Sequence, residues 1–206
     1  SACILQDRLG LKTGVGALDF DLGCSGYVYG LALAKGLVVG GMAKNVLLLT
    51  AETYNKYIHP SDKGNRTIFG DGASATLVSA EGRARIGEFA FGTDGSGAND
   101  LIVPNGGARA NFGADNHVEG KPIENPDNIF MDGSDIFSFT LKAVPELMAE
   151  VMQKNNDSLD KMDLFVLHQA NRQIIGEIAK KSGLPLENTP SETFSRYGNL
   201  SSASIP

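Results

Sequence analysis

Residues 17–39 read ALDFDLGCSGYVYGLALAKGLVV, and this stretch decides the fold. Ala17–Leu22 is short and partly apolar, Gly23, Cys24, Ser25 and Gly26 form a cluster of small residues, and Tyr27–Val39 is apolar almost throughout. That order predicts a strand, a tight turn and a buried helix. Gly40 and Gly41 stop the helix. Asn45–Thr50 (NVLLLT) is then the compact apolar run expected of a strand covered on both faces. A thiol at such a turn meets backbone N–H groups and the positive end of a helix dipole, which favour a thiolate. The small neighbours leave room for a substrate carbonyl, and an N–H beside the sulfur could form half of an oxyanion hole. Taken alone, the window is equally compatible with a buried structural cysteine.

Working outward, Ser1–Leu9 reads as a helix stopped at Gly10. Thr53–Arg66 is polar, contains Pro60 and reads as a surface loop, while Ala73–Ser79 and Arg85–Phe91 read as strands. Gly92–Asp127 is rich in Gly, Asn, Asp and Pro and too long for an ordinary connection, so excursion loops with short strands are expected near a binding surface. Ser134–Lys154 has a helical pattern with Ser134 as N-cap, and Pro145 predicts a kink or break. Leu164–Leu167 reads as a short buried strand with His168 at its carboxyl end, where ligands of α/β proteins collect. Asn171–Ser182 makes an amphipathic helix ended by Gly183 and Pro185. Strand, helix, strand in both halves is an α/β order.

Composition removes several function classes. The 206 residues are 42% hydrophobic and 20% charged, enough for a sizeable core and unlike a disordered chain. A formal net charge of -6 gives no footprint for a nucleic acid or an anionic membrane surface. The two cysteines, Cys3 and Cys24, form no CxxC pair, so neither a metal site nor a disulfide framework is expected, and a reducing, cytoplasmic setting is. No apolar run reaches membrane-spanning length and no signal segment opens the chain. Both ends read as cut, since Ser201–Pro206 enters a helix without residues to form it. The chain is therefore expected to be an internal piece of a longer protein. Cys3 reads as a core cysteine, His59 and His117 as solvated loop residues, and Asn199 by itself as a cap or turn residue. Gly70-Asp71-Gly72-Ala73 lacks the Lys and Ser/Thr of a phosphate loop and reads as a structural turn.

In combination these residues say more, for Cys24, His168 and Asn199 all fall at loop-to-helix or strand-end positions. The segments LDFDLGCSGYVYGLALA (18–34), IFGDGASATLV (68–78), LHQANRQIIGEIAKK (167–181) and RYGNLSSASIP (196–206) resemble the cysteine, glycine-rich, histidine and asparagine motifs of β-ketoacyl-[acyl carrier protein] synthase III. The resemblance runs from Ser1 to Pro206. It implies a thiolase-like α/β fold of duplicated βαβαβ halves in alternating layers, incomplete at both ends here, and a homodimer. The expected division is 1–92 as the remainder of the nucleophile-bearing half, 93–130 as a loop-rich connection, and 131–206 as part of the half bearing His168 and Asn199.

The implied activity is a decarboxylative Claisen condensation of an acyl-CoA primer with malonyl-[acyl carrier protein], initiating fatty acid synthesis without a cofactor. Cys24 maps to the nucleophile, and His168 and Asn199 to the pair that hydrogen-bonds the malonyl thioester oxygen. Gly133, Ser134 and Asn171 map to the pantetheine tunnel, and the resemblance also reads the glycine-rich stretch as scaffold. Arg172 sits one place from the family's usual basic carrier-docking position, which holds Gln173, and Asp21 and Gly23 depart from the small, mostly alanine residues common before the cysteine. The alternatives are a related enzyme priming polyketide, aryl polyene or alkylquinolone synthesis, a non-catalytic ketosynthase-like interaction subunit, and a cysteine hydrolase using Cys24 and His168.

Overall fold

The structure, a computed structural model, describes residues 1–82 and 84–206. Its first helix, α1 (Ala2–Arg8), ends before Gly10, which takes the left-handed φ of 64° that releases the chain from the helix. None of its residues is buried, so Cys3 is exposed rather than a core residue.

The second helix, α2 (Gly26–Val39), is shaped by small residues at every fourth position, and Gly26, Gly30 and Ala34 are its buried ones. They form a ridge against β1 (Asn45–Thr53). A Cβ at Gly30 would lie 2.6 Å from Leu48 Cδ1 and 3.0 Å from Phe20 Cζ, so the helix backbone is itself the packing surface. Leu33 and Val39 point outward. The helix is thus buried along one stripe and not all round, because an apolar run records composition while burial follows the one face that meets β1.

β1 pairs antiparallel with β2 (Asp71–Ser79) in a register running from Asn45 opposite Ser79 to Thr53 opposite Asp71. Leu48, Thr50 and Val78 are buried, whereas Leu47, Leu49 and Leu77 are exposed. The strand alternates. The expected two-sided cover is absent among the described residues, since α2 covers one face only. Between the strands the chain is more ordered than a loop. It holds a 3-10 turn at Tyr54–Lys56 and α3 (Lys63–Arg66), whose cap Asp62 accepts the Asn65 N–H. Ile58, Phe69 and Ile129 form a small core here, with the Tyr54 ring stacked 4.9 Å from that of Phe69.

Ala17–Leu22, Arg85–Phe91 and Leu164–Leu167 are not strands, because among the described residues no neighbouring backbone completes a ladder beside them. In the second case a side chain takes the partner's place. The Asn155 carboxamide accepts the Glu88 N–H at 2.8 Å and donates to its carbonyl at 3.0 Å, which satisfies one residue and cannot extend. In the third, Phe165 N–H bonds Asn188 O while Leu164 and Val166 are exposed, so the run is buried on one side only.

The long excursion carries short strands, β3 (Leu101–Ile102) pairing antiparallel with β4 (Phe130–Met131). Buried Asn105 pins its interior by donating to Ala114 O and Asp127 Oδ1. Lys121 reaches Asp100 at 2.8 Å, Asp132 at 3.1 Å and Asp135 at 3.2 Å, and these hydrogen bonds, led by Asp100, hold its ammonium above the usual lysine range. The excursion is thereby tied to the start of α4 (Gly133–Lys154).

The cap of α4 is Asp132 and not Ser134. Its carboxylate accepts the Ser134 hydroxyl, a Lys121 hydrogen and the Asp135 N–H, which in that order lower its pKa to about 2. A carboxylate satisfies the dipole better than a hydroxyl can, so the acid wins the cap position. The helix runs through Pro145 without a break, the turns on both sides outweighing one missing N–H. Against it packs α5 (Arg172–Ser182), burying Ile174, Ile175, Ile178 and Ala179 and ending at Gly183 with φ 69°. A last helix, α6 (Glu192–Tyr197), leads into Gly198, Asn199 and a 3-10 turn at Ser201–Ala203.

Candidate active site

Cys24 lies in the turn that feeds α2, closed by the Gly26 N–H on Gly23 O at 2.8 Å, with Ser25 as the helix N-cap. Burial pushes the thiol above its ordinary range, a hydrogen bond from Ser201 works against that, and the charge of Glu52 adds to it. The helix start and Ser201 are thus the groups that favour a thiolate here.

The asparagine segment is delivered to this turn by the glycine-rich stretch. Asn199 N–H donates to Ile68 O at 2.8 Å, Gly70 N–H donates to Asn199 O at 3.0 Å, and Phe69 and Asn199 form a parallel bridge. A Cβ at Gly70 would collide with Tyr197 O, and one at Gly72 would come within 2.9 Å of Leu200 Cδ1. Gly70 must be glycine for the backbones to meet, whereas a side chain at residue 72 would have to displace that of Leu200. The scaffold reading of residues 68–78 fits this contact.

Asn199 is buried, and its Oδ1 accepts the Ser201 N–H at 2.8 Å. That bond fixes which end of the carboxamide is which, so Nδ2 is the end with hydrogens to give. Ser201 is 1% exposed and holds a left-handed φ of 51°, unusual for a residue with a side chain. Its Oγ lies 3.8 Å from Cys24 Sγ and 3.5 Å from the Tyr54 hydroxyl. Ser202 donates to Glu52 Oε1 at 2.6 Å, which clamps the same turn to β1. Cys24 and the Asn199 turn are therefore brought together, with Ser201 as the link.

His168 follows the run at 164–167, where Gln169 clamps the backbone by donating to Leu167 O and Pro190 O, both at 3.0 Å. Both imidazole nitrogens are buried and have no hydrogen-bond partner among the described residues. Burial lowers the ring's pKa to about 4, so it is neutral near pH 7 and has one N–H to donate. No hydrogen bond joins it to Cys24 or Asn199.

Of the remaining expected site residues, Asn171 is the N-cap of α5, its Oδ1 accepting the Ile174 N–H at 2.8 Å, which leaves its Nδ2 as the end that can donate. Gly133 opens α4 with nothing within 4 Å of where a Cβ would stand, and the Ser134 hydroxyl is engaged by Asp132. None of the three hydrogen-bonds the Cys24 cluster. His59 and His117 are exposed, paired with Ser61 and Asp115. No group of three or more His, Cys, Asp or Glu among the described residues has the arrangement of a metal site. Tyr54, Glu52 and Ser201 were not singled out from the sequence, where a tyrosine after a strand and a serine in a turn carry no distinguishing signal.

Two family profiles match the chain. Residues 18–95 match the one described as 3-Oxoacyl-[acyl-carrier-protein (ACP)] synthase III, and residues 152–206 match its C-terminal counterpart. The chain belongs to the 3-oxoacyl-[acyl-carrier-protein] synthase III family. It is 37% identical over 207 residues to a β-ketoacyl-[acyl-carrier-protein] synthase III of Clostridium perfringens, covering 100% of this chain and 61% of the relative. The corresponding protein of Clostridioides difficile is 36% identical at the same coverage. A 2.1 Å crystal structure of a 3-oxoacyl-(acyl-carrier-protein) synthase III superposes with a TM-score of 0.92 at 47% identity, covering 100% of this chain and 62% of the other. The 3-oxoacyl-(acyl-carrier protein) synthase of Burkholderia xenovorans LB400 gives 0.85 at 41%, covering 100% and 58%. The fold is thiolase-like, and the chain spans about three fifths of the length of these synthase III relatives.

Proposed function

We propose that this chain carries the acyl-transfer and condensing chemistry of a β-ketoacyl-[acyl-carrier-protein] synthase III, joining an acyl-CoA primer to malonyl-[acyl carrier protein]. The observation that carries the proposal is the Asn199 carboxamide, its Oδ1 held by the Ser201 N–H so that Nδ2 is the end left to donate, on the same turn that touches the Cys24 sulfur. In the first half-reaction Cys24 Sγ bonds the acyl carbon, the carbon–sulfur bond to CoA breaks, and the CoA thiolate leaves to take up a proton. In the second, the malonyl carboxylate leaves as carbon dioxide and its electron pair passes to the thioester oxygen. Neutral His168 and Asn199 donate to that oxygen and stabilise the enolate more than the ground state. The enolate carbon then attacks the acyl carbon and Cys24 leaves as a thiolate.

A charged imidazole would bind the substrate's carboxylate before it is lost and so resist the reaction, whereas the buried, neutral ring of His168 does not. Gly133, Ser134 and Asn171 are assigned to the pantetheine arm, the free Nδ2 of Asn171 being suited to one of its amide carbonyls. The reading divides the chain into residues 1–92 around the nucleophile, 93–130 as connection and 131–206 around His168 and Asn199. It carries with it the homodimer implied by the resemblance and a cytoplasmic setting, with which two free thiols are in keeping.

The test is a condensation assay with a panel of acyl-CoA primers and malonyl-[acyl carrier protein], reading 3-oxoacyl-[acyl carrier protein] by mass spectrometry. Product dependent on Cys24, His168 and Asn199 is expected. Acyl-enzyme that turns over to free acid without malonyl substrate points to a hydrolase, and no acyl-enzyme at all points to an interaction subunit.

A further inference from the structure

Two hydroxyls beside Cys24, those of buried Ser201 and half-buried Tyr54, have no part in the chemistry above. Ser201 Oγ stands within hydrogen-bond reach of both Cys24 Sγ, at 3.8 Å, and the Tyr54 hydroxyl, at 3.5 Å. It has one hydrogen and two lone pairs, so it can donate to only one of them at a time. When the sulfur is a thiolate, Ser201 must give its hydrogen to Sγ, and the Tyr54 O–H then donates to a lone pair of Ser201 Oγ. When the sulfur is a thiol or a thioester it is a poor acceptor, and the Ser201 hydrogen turns to Tyr54.

We propose that Tyr54 and Ser201 form a two-hydroxyl chain ending on Cys24 Sγ, reversing direction with the state of the sulfur, so that both are positioning residues for the nucleophile. The proposal rests on Cys24 being the acyl carrier.

Local geometry supports it. Ser201 holds its left-handed φ and near-complete burial in a turn clamped on either side, by the Asn199 carboxamide and by Ser202 on Glu52. Unusual backbone held this firmly is typical of sites where a side chain must be aimed. The ring of Tyr54 is fixed by its stack on Phe69, and its hydroxyl would lie 3.1 Å from a Cβ on Gly23, so glycine beside the nucleophile leaves it room.

The electrostatics explain why a donor chain is needed. The charged groups facing this pair are negative: Glu52 from β1 and Asp21 from the segment before the turn, with Asp71 of β2 close by and accepting the Asn55 N–H. Carboxylates and burial both oppose a thiolate, and the chain supplies hydrogens where the negative charge would sit.

The experiment follows the pH dependence of Cys24 alkylation by iodoacetamide in the full protein, with exposed Cys3 replaced by serine so that one thiol reports. Y54F keeps the ring and removes the hydroxyl. S201G removes the other hydroxyl at a φ glycine accepts, and S201A serves as a second variant at that position. Near pH 7 the rate is expected to fall roughly tenfold in the Ser201 variants, about the weight of one hydrogen bond to a charged acceptor, and roughly threefold in Y54F. The high-pH plateau should stay unchanged, as a change in access or packing would move the plateau instead.

Superimposable profiles would overturn the proposal. So would a shift in the Ser201 variants with none in Y54F, since the chain would then stop at Ser201. If the C3S protein takes no acyl group from acyl-CoA at any pH, it is the proposed function that fails, and the alkylation profiles still decide the hydroxyl chain.

Discussion

Lowering the pH tests His168 directly, because both ring nitrogens are buried without partners among the described residues and protonation would place an unpaired charge there. Burial brings the ring from an ordinary 6.5 to about 4. Each pH unit of that difference corresponds to about 1.4 kcal/mol, so the preference for the neutral ring is on the order of 3 kcal/mol. The sign follows from proton uptake. Between those two values the unfolded chain binds the proton and the folded one does not, so folding stability is complete above pH 6.5 and falls as pH drops toward 4. At pH 6.5 roughly one folded molecule in three hundred carries the charge, against half for an ordinary histidine.

Proton NMR of the imidazole Cε1–H, assigned by its loss in H168Q, should show titration near pH 4, and H168Q should lose less stability on acidification to urea unfolding. An imidazole that titrates at 6.5 or above, or parallel acid destabilisation of both proteins, would refute the reasoning.

Replacing Asn199 with alanine should lower condensation by roughly 100- to 1000-fold, the weight of one oxyanion donor, while acyl transfer onto Cys24 continues; single-turnover assays of each half-reaction separate the two. At Gly30, alanine should destabilise the protein by about 1–3 kcal/mol in chemical unfolding, since its methyl meets Leu48 at 2.6 Å across the α2–β1 contact. N171A should cost about 1 kcal/mol as a lost helix cap and raise the KM for acyl-CoA, whereas N171S should recover the stability and not the KM.

What could be read from the sequence was local or carried by the family motifs. The turn at Cys24, the stop of α5 at Gly183 and the placement of β2 depend on residues whose own conformational preferences decide the outcome. The runs at 17–22, 85–91 and 164–167 have strand-like composition, yet a strand exists only with a neighbour to pair with, and composition does not state whether one is there. Ser134 lost the cap of α4 to Asp132 because the competition between two nearby acceptors is settled by geometry and charge. In the site, Asn199 was legible through its motif. Its orientation was not, since that rests on a backbone N–H two residues later, and neither was the approach of Tyr54 and Ser201 to a sulfur far away in sequence.

Peptide mass spectrometry after incubation with acyl-CoA examines the central claim with least intervening inference. An acyl adduct confined to the peptide bearing Cys24, absent from C24S and discharged into 3-oxoacyl product on adding malonyl-[acyl carrier protein], is the predicted result. Acylation located elsewhere, or condensation that persists in C24S, would contradict it.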